Sequence, residues 1–266
     1  MMISALVRSS FLVCCLVFLS GRQIGSEDRE YLVANYEQTF SGVGRINCGE
    51  SIDPTNYSFA TGTLIGNATT VFTVGHYRTV QDDGRIFDIT DCKYVNYDQH
   101  GNARFSAKIR AEKRPIEPSR YIENPVYEPD WAILRLDRSV PKNIARPVTF
   151  RIGSFWDALE RKNAVIIAHN GGNNRINAKR RVMSTNCEIR KRNKATKFFL
   201  HSCDTDRGSS GGLFFDMDSD GNIFAFAYTT AEFRKEAAKS LGISETPNVA
   251  QIMTLQHESI IHDKGW

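Results

Sequence analysis

Three residues of this 266-residue chain have the types and local settings for nucleophilic catalysis: His76, Asp130 and Ser210. A serine hydroxyl is a poor nucleophile at neutral pH and needs an adjacent base to take its proton. Histidine titrates near neutrality, so it can take that proton and later hand it to a leaving amine. An aspartate on the other ring nitrogen fixes the tautomer and stabilises the imidazolium. His76 ends the run Thr73-Val74-Gly75-His76, at the close of an apolar strand pattern. Asp130 opens the alternating run Trp131-Ala132-Ile133-Leu134-Arg135-Leu136. Ser210 lies inside Gly208-Ser209-Ser210-Gly211-Gly212, where glycines permit a sharp turn that presents backbone N–H groups. Taken singly, these read as a surface histidine, a turn cap and a flexible loop. Together, in the order His, Asp, Ser, they match one of the few chain orders of a Ser-His-Asp triad. Ser209 is the rival nucleophile, but the Gly-x-Ser-Gly-Gly frame centres on Ser210.

The elements that must position these residues read as short strands. Segments 59–65, 71–74, 105–109, 131–136, 165–168, 198–201, 213–215 and 223–228 are apolar or alternating and are punctuated by Gly, Asn, Asp and Pro. Many short strands with turn signals point to an all-β sandwich or barrel. The tail differs: Val249, Ile252, Met253, Ile260 and Ile261 recur near helical spacing, which predicts a C-terminal helix over 249–262. The pattern breaks mildly near residues 138–147.

These segments resemble the chymotrypsin/trypsin-like serine peptidases. Thr73-Val74-Gly75-His76 is similar to the family's His motif, Asp130-Trp131-Ala132-Ile133 to its Asp motif, and Gly208-Ser209-Ser210-Gly211-Gly212 to its nucleophile loop. Cys203-Asp204-Thr205 ahead of that loop, and the run Val165-Ile166-Ile167-Ala168-His169, resemble the bacterial-type secreted branch to which glutamyl endopeptidases are related. The resemblance covers roughly residues 59–230. It implies two packed antiparallel six-stranded barrels, here 43–145 and 146–266, the second with the C-terminal helix. His76 and Asp130 would come from the first barrel. Ser210 would come from the second, with an oxyanion hole formed by the N–H groups of Gly208 and Ser210. The implied reaction is peptide-bond hydrolysis through an acyl-enzyme, with no metal or organic cofactor. The expected partner is a protein or peptide substrate, with no nucleic acid, and the enzyme is expected to be a monomer. The rival from another class is a peptidase-like binding protein without catalysis.

The resemblance also bears on specificity, and leaves it open. Asp204 stands where trypsin-like members carry an acid at the base of the primary pocket, which would favour Lys or Arg through charge-assisted bonds. The favoured reading is that Asp204 caps a turn beside a disulfide, since loop acids usually cap. Thr205 occupies a position used by glutamate-specific relatives, but Ala227 stands where those carry a histidine, which argues against glutamate. Tyr228 and Thr229, with Thr230 after them, would line the pocket wall, and the threonines replace the usual glycines and would narrow it. Digestive members are activated by cutting before an Ile-Val-Gly-Gly start. That start is absent here, and Ser209 cannot form the ion pair it serves, so no such activation is expected.

Composition is that of a folded globular chain, with 41% hydrophobic and 24% charged residues, which excludes dominant disorder. Residues 1–21 carry one charge, Arg8, then a short apolar run and Ser20-Gly21, the form of a cleaved secretory signal rather than a membrane span. Residues 22–42 are then an N-terminal segment or short pro-segment, and the mature protein is expected to be secreted or periplasmic with no membrane span. Four cysteines remain after cleavage: Cys48, Cys92, Cys187 and Cys203. An even number in an exported chain suggests two disulfides, with three pairings open. The resemblance implies Cys187–Cys203 and, with it, Cys48–Cys92. Zinc is disfavoured because no pair has the short C-x₂₋₄-C spacing.

Net charge is only +4, but 175–197 holds nine basic residues against one acid, Glu188. We read it as a solvated hairpin rather than a surface for acidic ligands. Asp216-Met217-Asp218-Ser219-Asp220-Gly221 imitates the start of a calcium loop but has Ala227 at its twelfth position, so it reads as a polar turn. Asn56 and Asn67 fit glycosylation sequons, which matter only in a eukaryotic secretory path.

Overall fold

In a computed structural model the chain is mostly β. The structure describes residues 29–32, 34–49, 57–79, 85–115, 129–149, 164–169, 177, 179–193, 198–217, 222–232 and 248–263. Residues 1–21, expected to be a signal, and Asn56 lie outside the described residues, as do 175, 176, 178 and 194–197 of the basic segment.

Six strands close into the first barrel: β2 (Val43–Gly49), β3 (Tyr57–Leu64), β4 (Thr70–Thr73), β5 (Cys92–Tyr97), β6 (Ala103–Lys113) and β7 (Ala132–Leu136), in the order β2-β3-β4-β7-β6-β5. Every pairing is antiparallel. Closure falls between β2 and β5, where Cys48 and Cys92 stand in register and are joined by a disulfide. Val43, Ile46, Leu64, Phe72, Ile133 and Leu134 are fully buried and belong to the hydrophobic core. β2 and β3 are buried along nearly their whole length, because a small closed barrel covered by a second unit leaves them little solvent face.

The second unit is an eight-stranded antiparallel sheet. It contains β1 (Arg29–Tyr31), β8 (Ala164–His169), β9 (Arg181–Cys187), β10 (Ile189–Asn193), β11 (Phe198–His201), β12 (Leu213–Met217), β13 (Ile223–Glu232) and β14 (Asn248–Ile252). The order is β1-β9-β8-β12-β13-β14-β11-β10. This is a sheet of eight strands where a second six-stranded barrel is expected; only Glu188 parts β9 from β10, so these two are one nearly continuous stretch of chain. β1 is an addition from the N-terminal segment, lying along β9. The second disulfide, Cys187–Cys203, fastens this long strand to the segment ahead of the Ser210 loop. Asp216 and Met217, the start of the calcium-like run, close β12, with Met217 paired to Ile223, and the rest of that run, 218–221, lies outside the described residues.

The tail departs from expectation. Residues 248–252, the start of the expected helix, form β14, and the helix α2 is shorter, Leu255–His262. β14 pairs with β11 on one side and β13 on the other, and most of its residues are buried on both faces. A short buried strand has no period-two alternation, so periodicity alone does not distinguish it from a helix. α2 starts at Thr254, whose N–H donates to His257 Nδ1 at 2.8 Å. The helix packs back on the first barrel, with the His257 ring 4.9 Å from Trp131 and 5.6 Å from Phe72.

A short helix, α1 (Ala34–Thr39), links β1 to the first barrel. Its follower Phe40 is buried and its ring lies 4.6 Å from Phe215 of the second sheet. No helix among the described residues is long and apolar enough to cross a membrane.

Candidate active site

β4 runs into a tight turn, and His76 is held there by its neighbours. Tyr77 is fully buried and its hydroxyl donates to Glu112 at 2.8 Å. Burial, helped by the Glu112 carboxylate, keeps the Tyr77 phenol well above its ordinary pKa, so it stays a donor. Arg78 pairs with the same carboxylate at 2.9 Å. This network anchors the turn to β6.

Asp130 immediately precedes Trp131 and β7, next to β4 in the barrel. Its Oδ2 lies 2.7 Å from His76 Nδ1, and its Oδ1 accepts the His76 backbone N–H at 3.1 Å. Asp130 is 1% exposed and His76 6%. Both carboxylate oxygens are therefore used on one residue, which fixes the imidazole in plane and direction. A residue from the other unit holds Asp130 in turn. Gln251 of β14 accepts the Asp130 N–H at 3.2 Å and the Tyr228 hydroxyl at 2.6 Å.

The Ser210 loop is built from a turn over 206–209, closed by the Ser209 N–H donating to the Asp206 carbonyl at 2.9 Å. Gly208 stands at its third position with φ +91°, as a type II turn requires. A side chain there would also strike Phe59, whose ring reaches 2.0 Å from the place of a Cβ. Gly211, at φ +84°, is pressed against the Thr61 carbonyl, 2.2 Å from the place of its Cβ. Only glycine fits either position.

β3 of the first barrel holds this loop from the other unit. The Thr61 N–H donates to the Ser210 carbonyl at 2.8 Å. The Thr61 hydroxyl donates to the Gly208 carbonyl at 2.8 Å and accepts the His169 N–H at 2.9 Å. With the Gly208 carbonyl so engaged, the N–H groups of Gly208 and Ser210 donate to nothing among the described residues. The Ser210 hydroxyl points to the Thr230 carbonyl, at 3.2 Å, and makes no hydrogen bond to His76 in this resting arrangement.

A family model, the trypsin-like peptidase domain, matches residues 60–225. The chain belongs to the trypsin-like peptidase family. No curated protein matches the sequence significantly. Among solved structures, this peptidase is similar to a Glu endopeptidase in complex with MPD, at 17% identity and TM-score 0.64, over 92% of this chain and 100% of that one. It is also similar to protease Anisep from Arthrobacter nicotinovorans, at 13% identity and TM-score 0.58, covering 86% and 96%. A thermostable serine protease, AL20, from an extremophilic microorganism follows at 12% identity and TM-score 0.56, covering 85% and 97%. At these identities the likeness carries the chymotrypsin-like fold alone.

The remaining positions read from sequence fall in two groups in this trypsin-like peptidase. Asp204 and Thr205 are both buried, between the Cys187–Cys203 disulfide and the 206–209 turn. Tyr228 is buried in the junction between the units, with its ring 4.9 Å from Phe72 and its hydroxyl on Gln251. The Thr229 hydroxyl donates to the Val249 carbonyl at 3.3 Å, and the Thr229 backbone pairs with Gly211 and Gly212. Ala227 lies in the apolar core of the second sheet with Phe199 and Phe214. Among the described residues no cluster of His, Cys, Asp or Glu could hold a metal ion. Thr61 and Gln251 are site-supporting residues that the sequence reading did not assign. No local motif marks them, because their partners lie more than a hundred residues away.

Proposed function

We propose that this trypsin-like peptidase is an exported serine endopeptidase that cleaves peptide bonds through an acyl-enzyme, with His76, Asp130 and Ser210 as its triad. The observation that carries this reading is the buried, doubly bonded Asp130–His76 pair, set at the same junction as a glycine-framed Ser210 loop.

In the proposed cycle the Ser210 side chain rotates from the Thr230 carbonyl toward His76 Nε2, a tightening expected when substrate arrives. Its Oγ attacks the substrate carbonyl carbon while His76 takes the hydroxyl proton. Asp130 stays ionised and stabilises the imidazolium that forms. The oxygen of the tetrahedral intermediate accepts from the Gly208 and Ser210 N–H groups, which have no competing acceptor. Collapse breaks the C–N bond, and His76 gives its proton to the leaving amine. Water, deprotonated by His76, then releases the acyl group from Ser210.

The two disulfides favour a compartment outside the reducing cytoplasm, in keeping with export to the medium or periplasm. Turnover of a denatured protein substrate tests the reading. Ser210→Ala is expected to lose about 10⁶-fold in kcat, and an equally active variant would refute it.

A further inference from the structure

The oxyanion turn receives a positive charge from a part of the chain remote in sequence. Arg29 opens β1, its side chain is 2% exposed, and its Nη1 lies 3.6 Å from Asp206 Oδ2. Asp206 is the first residue of the turn that carries Gly208. Its carbonyl accepts the Ser209 N–H, its own N–H donates to Ser209 Oγ at 2.8 Å, and its Oδ1 accepts the Arg207 N–H at 2.7 Å. The carboxylate thus grips the backbone immediately before Gly208, and the Arg29 guanidinium faces that carboxylate from outside the turn as an ion pair, with no hydrogen bond from Nη1 among the described residues. A guanidinium this buried is costly unless a counter-charge faces it, so the pair also fixes where β1 can lie.

β1 is itself firmly seated. Arg29, Glu30 and Tyr31 pair with Ser184, Met183 and Val182 of β9. The Tyr31 hydroxyl accepts the Asn177 N–H at 2.7 Å, and the Arg180 guanidinium lies 3.4 Å from the Tyr31 ring centre. Just beyond, Leu32 is buried and Glu37 of α1 pairs with Arg181. The N-terminal strand is therefore packed where its first side chain reaches the turn beside the nucleophile.

We infer that Arg29 is a positioning residue that holds the Asp206–Gly208 turn in oxyanion-binding geometry, and that the chain from Arg29 onward is a working part of the enzyme rather than a segment to be shed. This rests on the peptidase reading above. The test is the second-order rate of labelling by a fluorophosphonate, which needs the oxyanion site but no knowledge of peptide preference. It is measured on full-length wild type, Arg29→Met, Arg29→Lys, Asp206→Asn and the double variant Arg29→Met/Asp206→Asn, well below each thermal midpoint.

Arg29→Met and Asp206→Asn are each expected to label about 10- to 100-fold more slowly, a part of the loss seen when an oxyanion donor is removed outright. Arg29→Lys should recover most of the rate, and the double variant should be no slower than the slower single one, because both act through one pair. Asp206 is 34% exposed at its side chain, so Asp206→Asn keeps the test decisive even where Arg29→Met does not fold. A labelled wild type with Asp206→Asn at the same rate, or single losses that multiply in the double variant, overturns this inference alone. An unlabelled wild type overturns the peptidase reading and this inference with it.

Discussion

Asp130 grips His76 at two points, ring and backbone, with Oδ2 2.7 Å from Nδ1 and Oδ1 3.1 Å from the main-chain nitrogen. The backbone contact sets where the histidine sits, and the ring contact sets which way the imidazole faces. The two functions are separable by mutation. Asp130→Asn keeps a side chain of the same shape but can offer its N–H to Nδ1, which selects the wrong tautomer. We expect kcat to fall about 10⁴-fold with the thermal midpoint little changed. A small kcat loss would show that the pair is structural only.

Gly208 gives a second prediction. Alanine there meets both a positive φ and the Phe59 ring. Gly208→Ala should slow turnover at least about 10²-fold by displacing an oxyanion N–H, and should lower stability. The double variant Gly208→Ala/Phe59→Ala removes the clash but not the backbone strain. It should therefore stay impaired in kcat, which steady-state kinetics on both variants will check.

His201 predicts a pH dependence of stability. It is buried between Phe199 and Phe214, with ring centres 6.1 and 4.9 Å away. Burial drives its pKa down to about 3, with the Val249 carbonyl pulling weakly the other way. The unfolded chain takes up the proton near the ordinary value of about 6.5. Between those limits the unfolded state holds a proton that the folded state does not, so stability falls as pH drops from about 6.5 toward about 3. His201→Leu should flatten that part of the curve of thermal midpoint against pH. An unchanged slope would contradict the assignment.

The Cys187–Cys203 disulfide closes a short loop, 16 residues in sequence, directly ahead of the Ser210 turn. Replacing both cysteines by serine is expected to cost about 3 kcal/mol, or roughly 6–12 °C in thermal midpoint. Fluorophosphonate labelling should slow as well, because the loop loses its tether. Calorimetry and labelling on the same sample separate the two effects.

The proposed triad reads from the sequence because each of its residues carries a local frame: a strand end for His76, a strand start for Asp130, a glycine setting for Ser210. The strands that alternate or run apolar were legible for the same reason. β2 was not, since it is buried almost throughout and carries Gly44, Asn47 and Gly49, so neither period nor propensity marks it. β14 reads as helix in sequence because it lies between two other strands and shows no solvent face. Supporting residues were invisible for a different reason. Thr61 meets Gly208 across 147 residues and Gln251 meets Asp130 across 121, and only the packing of two units brings such partners together. Arg29 belongs with them, because its partner Asp206 lies 177 residues further along the chain.

The most direct measurement of the central claim is covalent labelling of the purified protein by a fluorophosphonate, with the modified residue located by peptide mass analysis. A stoichiometric adduct on Ser210, and none on Ser210→Ala, is the expected result. No labelling of the wild type, or equal labelling of Ser210→Ala, would contradict it.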